Sequence, residues 1–314
     1  MRFAITKCHG SGNDFPLIDA RAISLSDAEW GVVARALSDR AGPVGGDGLL
    51  LLVEGGEGAD FGMRMLNPDG SESETCLNGL RCVARAGFEA TGLDAATVRL
   101  KTSVATVERV AALAPGVETV RTVAGPASTA PQDVGVRVAA PIVNAPVEGV
   151  PSTRAFTAVA MPNPHLVSFV DEVDDAELSV VGDWAEARPE LLVDRANVSF
   201  VELREGGLFV RTFERGAGLT NACGSAMAAS TFAAGLTGRV PFGTAITVFN
   251  RGGMVRAEAA APGDGGMVSI AGNATFEWDG EVEVDLASGC AGALILTRER
   301  GEEVAAWNAV LASL

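Results

Sequence analysis

Imidazoles and paired thiols are scarce in this chain. It has two histidines, His9 and His165, and five cysteines without a C-x2-C pair. Structural and catalytic zinc sites draw on Cys and His at short spacings, so no metal centre is expected. No run approaches the ~18 apolar residues of a membrane span. Stretches such as Leu49–Val53 have only strand length. The opening segment MRFAITKCHGSGNDF lacks an apolar core and a cleavage pattern. A reducing, cytoplasmic setting is therefore expected, and disulfide staples are not. Basic residues are also short, with 24 Lys and Arg against 40 Asp and Glu and a net charge of −16. That field repels phosphate backbones and anionic bilayers, so neither nucleic acid nor membrane is an expected partner. A small anionic ligand remains admissible, because a local site can oppose the global field.

What is present is a core. Hydrophobic residues make up 47% and charged residues 20%, which excludes disorder over most of the chain. A length of 314 residues suits about two domains or one large one. Arg2–Thr6 is β-prone, His9–Asp14 reads as a turn-rich loop, and Phe15–Asp19 resumes as a strand. Ser26–Ser38 has helical spacing, with Ser26 and Glu29 in capping-box positions. Gly42–Gly48 is a glycine loop before the Leu49–Val53 strand. Residues 114–133, rich in Gly and Pro, read as an exposed insertion or long hairpin loop, and Pro141–Pro151 as a linker. After a strand at Gly280–Leu286 comes a tail with a β run, Ala293–Thr297, and an amphipathic end, Val304–Leu314.

An internal repeat carries the chemistry. ETCLNGLRCVARAGFEATGL, from Glu74, parallels NACGSAMAASTFAAGLTGRV, from Asn221. Each has a polar turn, then Cys, then an Ala-rich helical stretch and a Gly-containing stop. Cys76 and Cys223 therefore fall at matched helix starts, 147 residues apart. A helix N-terminus favours thiolate and offers backbone N–H groups to an anion such as a carboxylate. Two such ends, one per half, could hold a carboxylate while one sulfur removes a proton and the other donates one. That is racemisation or epimerisation without a cofactor. Taken alone, a cysteine is more often a small buried hydrophobe, and Cys82, Cys8 and Cys290 read that way. The matched positions single out Cys76 and Cys223.

The chain resembles the diaminopimelate epimerases in HGSGNDF (His9–Phe15), GGDGLLLL (Gly45–Leu52), LNPDGSESETCLNGLRC (Leu66–Cys82), MPNPH (Met161–His165), RANVSF (Arg195–Phe200) and FERGAGLTNACGSA (Phe213–Ala226). The motifs are in family order and span roughly Met1 to Leu286. The resemblance implies an α/β fold of two pseudo-symmetric domains, each a mostly antiparallel sheet or barrel wrapped around a central helix. It implies halves at residues 1–141 plus 272–286 (with Cys76) and 142–271 (with Cys223), and a C-terminal extension at 287–314 of unassigned role. It further implies a cofactor-independent enzyme interconverting LL- and meso-diaminopimelate in lysine and peptidoglycan precursor synthesis, and a homodimer. Cys76 and Cys223 would be the acid–base pair. The N–H groups of Leu77, Asn78, Gly224 and Ser225 would hold the reacting carboxylate. Asn13 would lie near the substrate, Asn67, Asn163, Asn197 and Arg215 would grip its distal end, Glu214 would contact the reacting ammonium, and His165 would support the thiols. Asparagine supplies donor and acceptor together, and arginine a bidentate grip, as a second zwitterionic end requires.

The pattern has departures. Leu77 and Leu219 stand where the family commonly has Gly and Glu, and Ala226 where it often has Gly. These bear on substrate range more than on reaction class. Three readings stay open beside diaminopimelate epimerisation: a racemase of the same fold acting on another amino acid such as histidine or proline, a non-catalytic amino-acid-binding protein, and a thiol–disulfide switch.

Overall fold

The computed structural model describes residues 1–74 and 76–314; Thr75, within the Leu66–Cys82 motif, lies outside them. The chain forms two compact units, Met1–Thr122 with Ala271–Leu314, and Val123–Ile270. Residues 123–141 thus fall in the second unit and residues 287–314 in the first.

The first unit opens with β1 (Arg2–Gly10) and β2 (Asn13–Asp19), an antiparallel hairpin. The expected loop over His9–Asp14 shrinks to Ser11 and Gly12, with φ of 53° and 78°. Two successive left-handed residues make the tight turn whose twist matches the strands it joins, so pairing runs through Gly10 and Asn13. Helix α1 (Asp27–Ser38) follows, and its capping box is formed: Glu29 N–H donates to Ser26 Oγ, and Ser26 N–H donates to Glu29 Oε2 at 2.8 Å. Then come β3 (Leu49–Glu54), β4 (Phe61–Leu66), the short β5 (Glu72–Ser73), α2 (Leu77–Thr91), β6 (Ala95–Arg99), β7 (Val104–Arg109) and β8 (Thr119–Ala124). Strands β1/β2, β3/β4 and β6/β7 are antiparallel pairs. Crossovers through α1 and α2 make β2/β3 and β4/β6 parallel. Helix α2 packs against β1, β2, β3, β4, β6 and β7, so the sheet wraps around it. The uninterrupted Leu49–Leu52 run now has a cause. Leu49 and Leu51 join the core under α1, while Leu50 reaches Gly79 of α2, so both faces of β3 are covered.

The second unit repeats this plan. It comprises α3 (Pro131–Val134), β9 (Ala145–Pro146), β10 (Ala155–Ala160), β11 (Pro164–Val170), α4 (Asp175–Glu186), β12 (Asn197–Arg204), β13 (Gly207–Glu214), β14 (Gly218–Thr220), α5 (Gly224–Leu236), β15 (Ile246–Asn250) and β16 (Gly253–Ala259). Antiparallel β10/β11, β12/β13 and β15/β16 alternate with parallel β11/β12 and β13/β15, joined by α4 and α5. Helix α5 is buried nearly all round and packs on β10, β11, β12, β13 and β16, as an uncharged helix of small and apolar residues must. Each unit is thus an α/β fold with a sheet around one central helix, and each central helix carries one of the matched cysteines at its N-cap.

Two expectations need correction, and the tail, whose role was open, finds its place. Residues 114–133 are not a loop: the β-branched run Thr119–Ala124 pairs with β7, and glycines with positive φ, Gly116 and Gly125, turn the chain at its ends. Pro141–Pro151 is not a linker, because Ile142 and Val150 are buried in the second unit's core and β9 pairs with β10. The tail is integral to the first unit. After β17 (Val268–Asn273), β18 (Thr275–Asp285) pairs with β1, with the short β19 (Cys290–Ala291) and with β20 (Ile295–Glu299). Helix α6 (Gly301–Leu311) buries Trp307 and Val310, and its Glu303 binds Arg85 of α2. Cys8 and Cys82 are core residues as expected, whereas Cys290 is exposed. No described helix is long and apolar enough to cross a membrane.

Candidate active site

In the first unit, Cys76 is the N-cap of α2, with extended φ and ψ of −145° and 103°. The Gly79 N–H donates to its sulfur at 3.4 Å. A sulfur in that position faces the positive end of the helix and stands beside the first-turn N–H groups of Leu77 and Asn78. Asn13 comes from the far side of the hairpin turn. Its Oδ1 lies 3.7 Å from Cys76 Sγ and accepts from Asn78 Nδ2 at 3.4 Å. Its Nδ2 donates to Asp47 Oδ2 at 2.6 Å, and because a carboxylate only accepts, this fixes which way the amide points. Leu77 tucks its side chain into the core at 9% exposure, which is how the first turn accommodates it. Asn67 does not join this group: its side chain donates to Ser71 Oγ at 3.0 Å, within the turn that follows β4.

In the second unit, Cys223 is the N-cap of α5 and is buried. Its sulfur lies 3.5 Å from Ser225 Oγ and meets the Glu214 carboxyl. Burial pushes this thiol well above its ordinary range, and the Glu214 charge adds to the rise. Thr220 Oγ1 donates to Glu214 Oε1. Beside this lies a second group. His165 is fully buried, with Nε2 3.0 Å from Asn163 Oδ1 and Nδ1 without a hydrogen-bond partner. Burial, with the Arg215 charge, lowers its pKa to about 3, so it is a neutral imidazole near pH 7. Asn197 pairs in register with His165 and accepts the Arg215 N–H at 3.0 Å. Asn163, His165, Asn197 and Arg215 are therefore assembled by neighbouring strand ends, and Leu219 packs on the core of this unit.

Each central helix therefore presents, at its own N-terminus, a sulfur and first-turn backbone N–H groups, the donors an anion such as a carboxylate takes. Among the described residues no three His, Cys, Asp or Glu side chains converge as a metal-binding group.

The family model of diaminopimelate epimerase matches residues 5–112 and 157–277. The chain belongs to the diaminopimelate epimerase family. It is 36% identical over 293 residues to the diaminopimelate epimerase of Listeria innocua, covering 89% of this chain and 88% of that protein. It is 35% identical over 286 residues to that of Clostridium acetobutylicum, covering 90% and 86%. The fold is shared more widely. A phenazine biosynthesis protein of the PhzF family from Bacillus anthracis superposes with a TM-score of 0.66 at 15% identity, over 90% of this chain and all of that one. A probable proline racemase from Agrobacterium radiobacter does so with a TM-score of 0.61 at 12% identity, over 99% and 100%. The family is one of isomerases, and the chain is an isomerase. The matched residues stop at 277, before β20 and α6.

Several residues of the first site were not evident from the sequence. Asp47, Ser11 and Asn273 order the turn around Asn13, and Arg81 lies beneath it. The one available signal was a charged residue, Arg81, flanked by the apolar Leu80 and Cys82.

Proposed function

We propose that the chain epimerises LL- and meso-diaminopimelate with Cys76 and Cys223 as a two-base pair and no cofactor. The observation that carries the reading is that both cysteines occupy the same place, the N-cap of the central helix, in two units of the same topology. Inverting a stereocentre needs a base on one face of the carbon and an acid on the other, and a duplicated half-site supplies one of each. The α-proton of an amino acid is far less acidic than a thiol. First-turn N–H groups of Leu77, Asn78, Gly224 and Ser225 would hold the carboxylate and stabilise the charge that develops there. Glu214 would meet the reacting ammonium. Asn163, Asn197 and Arg215, brought together in the second unit, would recognise the distal zwitterion, with Asn67 reaching it on leaving its turn.

Removing one donor of this kind typically costs ~3 kcal/mol, and losing a sulfur should cost more. Cys76→Ser and Cys223→Ser should each nearly abolish epimerisation, and deuterium from solvent should enter the α-position during wild-type turnover. Near-wild-type turnover by either variant excludes the two-base account. A panel of amino acids tests the substrate: equal turnover of amino acids with no second zwitterionic end would assign the chain to a racemase of another substrate. Binding without α-proton exchange would make it a binding protein.

A further inference from the structure

The RANVSF motif opens on Arg195, a residue to which the two-base chemistry gives no task. Its place in the fold supplies one. Glu214 and Arg215 sit where β13 turns into β14. Gly216 and Gly218 in this turn have positive φ, 77° and 79°, and Gly216 and Ala217 are exposed. A turn with two such glycines is loose by itself. Here three successive N–H groups are held from three directions. Arg215 N–H donates to Asn197 Oδ1 at 3.0 Å, Gly216 N–H to Glu186 Oε2 at 2.9 Å, and Ala217 N–H to the Glu214 carbonyl at 3.1 Å.

Glu186 reaches the turn from the end of α4. A Cβ at Gly182 would overlap the Phe213 ring, so glycine there lets α4 approach β13 closely, and Glu186 stands one helical turn further on. Its other oxygen, Oε1, accepts Arg195 Nη1 at 2.8 Å. The guanidinium lies against the turn, since a Cβ at Gly216 would be 3.4 Å from Nη1. Arg195 Nε is buried without a hydrogen-bond partner; Asp194 Oδ1 is 4.0 Å away and pairs with Arg188 instead. An N–H left so is a cost. The Arg195 and Glu186 side chains are 32% and 35% exposed, and an ion pair that wet adds little to stability. Stability therefore does not explain the pair.

The division of charges does. Burial alone would raise the Glu186 carboxyl, but the Arg195 and Gly216 bonds outweigh it and hold the group below its ordinary range, so it is ionised near pH 7. Two cations stand near this carboxylate in sequence and space, Arg195 and Arg215. Arg195 has one oxygen and the Gly216 amide the other. Among the described residues the Arg215 guanidinium bonds no acceptor, and its charge is felt at His165 instead.

We propose that Glu186 and Arg195 are the positioning pair of the distal-end site: Glu186 pins the turn that carries Arg215, and Arg195 occupies Glu186 so that the Arg215 guanidinium stays open to the distal carboxylate of the ligand. The proposal rests on the diaminopimelate reading and deepens it, naming what keeps the arginine for the second zwitterionic end unpaired.

The test uses the full-length protein near pH 7 with two readouts. One is amide hydrogen exchange of residues 214–218 without ligand; the other is the dissociation constant for diaminopimelate by calorimetry, with kcat beside it. Glu186→Ala should quicken exchange of the turn severalfold and weaken binding about tenfold, the order of one charge-assisted hydrogen bond, with kcat changed far less. Glu186→Gln keeps an oxygen for Gly216 and should bind within ~threefold of wild type. Arg195→Met frees Glu186 to capture Arg215 and should weaken binding about tenfold. Adding Glu186→Gln to Arg195→Met should recover most of that loss, because an amide has no charge with which to hold Arg215. In an Arg215→Met background Glu186→Ala should add less than about twofold. Unchanged exchange in folded Glu186→Ala overturns the proposal. So does a double variant no better than Arg195→Met, or a Glu186→Ala loss that persists in full without Arg215. A wild type that binds no diaminopimelate defeats the substrate reading instead, and exchange at the turn then decides by itself whether Glu186 and Arg195 hold it.

Discussion

Glu303→Gln tests whether the tail beyond the family match holds the helix that carries Cys76. Glu303 receives Arg85 Nη2 at 2.9 Å and Nη1 as well, and accepts the Phe276 N–H at 3.3 Å. The Arg85 side chain is 5% exposed and that of Glu303 22%, and the guanidinium lies 3.9 Å over the Phe276 ring. Removing one partner of a buried pair costs 3–5 kcal/mol at the extreme, roughly. Glu303 is partly solvated, and Arg85 keeps the Ala274 carbonyl and the more exposed Glu89, so the expected loss is about 2 kcal/mol. For a unit of this size that lowers Tm by ~4–8 °C. Burial alone would raise the Glu303 carboxyl, but Arg85 bonds and charge outweigh it and hold the group below its ordinary 4.5. A depressed carboxyl stabilises the fold above its unfolded pKa and loses that contribution as pH falls through the folded value. The gap between wild type and Glu303→Gln should therefore be full above about pH 5 and close below 4.5. Denaturant melts at pH 7 and pH 4 measure it, and a cycle with Arg85→Met isolates the pair. A gap under ~0.5 kcal/mol at pH 7, or one indifferent to pH, would refute the reasoning.

Other outcomes follow from burial. His9 and His165 have pKa values of about 4 and about 3 when folded, against an ordinary 6.5. The unfolded chain therefore binds more protons below pH 6.5, and stability should fall with acid down to about pH 4, by up to ~2.7 kcal/mol per unit. The two imidazole signals in proton NMR should stay neutral above pH 5; a midpoint near 6.5 for either defeats the claim. Gly87→Ala places a Cβ 2.4 Å from the ring of Phe61, itself buried and edge-on to Phe88. It should destabilise by about 1–3 kcal/mol in a denaturant melt, and a neutral substitution would show that the sheet can give way there.

Local rules were legible wherever the signal was periodic or chemical. The Ser26–Glu29 box and the Leu49–Leu52 run behave as their residue types dictate. So do the matched cysteine starts, because N-cap position depends on the few residues around it. Composition misled where Gly and Pro were read as loop. In residues 114–133 they only bound a strand, and in Pro141–Pro151 they flank residues that fill a core. The tail could not be placed from sequence, since its partners, β18 and Arg85, are brought to it by packing rather than by spacing.

The sequence by itself determined that the chain is duplicated, that each half places a cysteine at the start of a small-residue helix, and which family the motifs resemble. These properties reside in short stretches and their order. Only the tertiary structure decided that the two cysteines live in unlike surroundings. The Arg81 guanidinium sealed between two glycines, an amide oriented by Asp47 and a carboxyl against Cys223 each depend on strands far apart in sequence. Charge acts through space and burial, neither of which a string of residues displays.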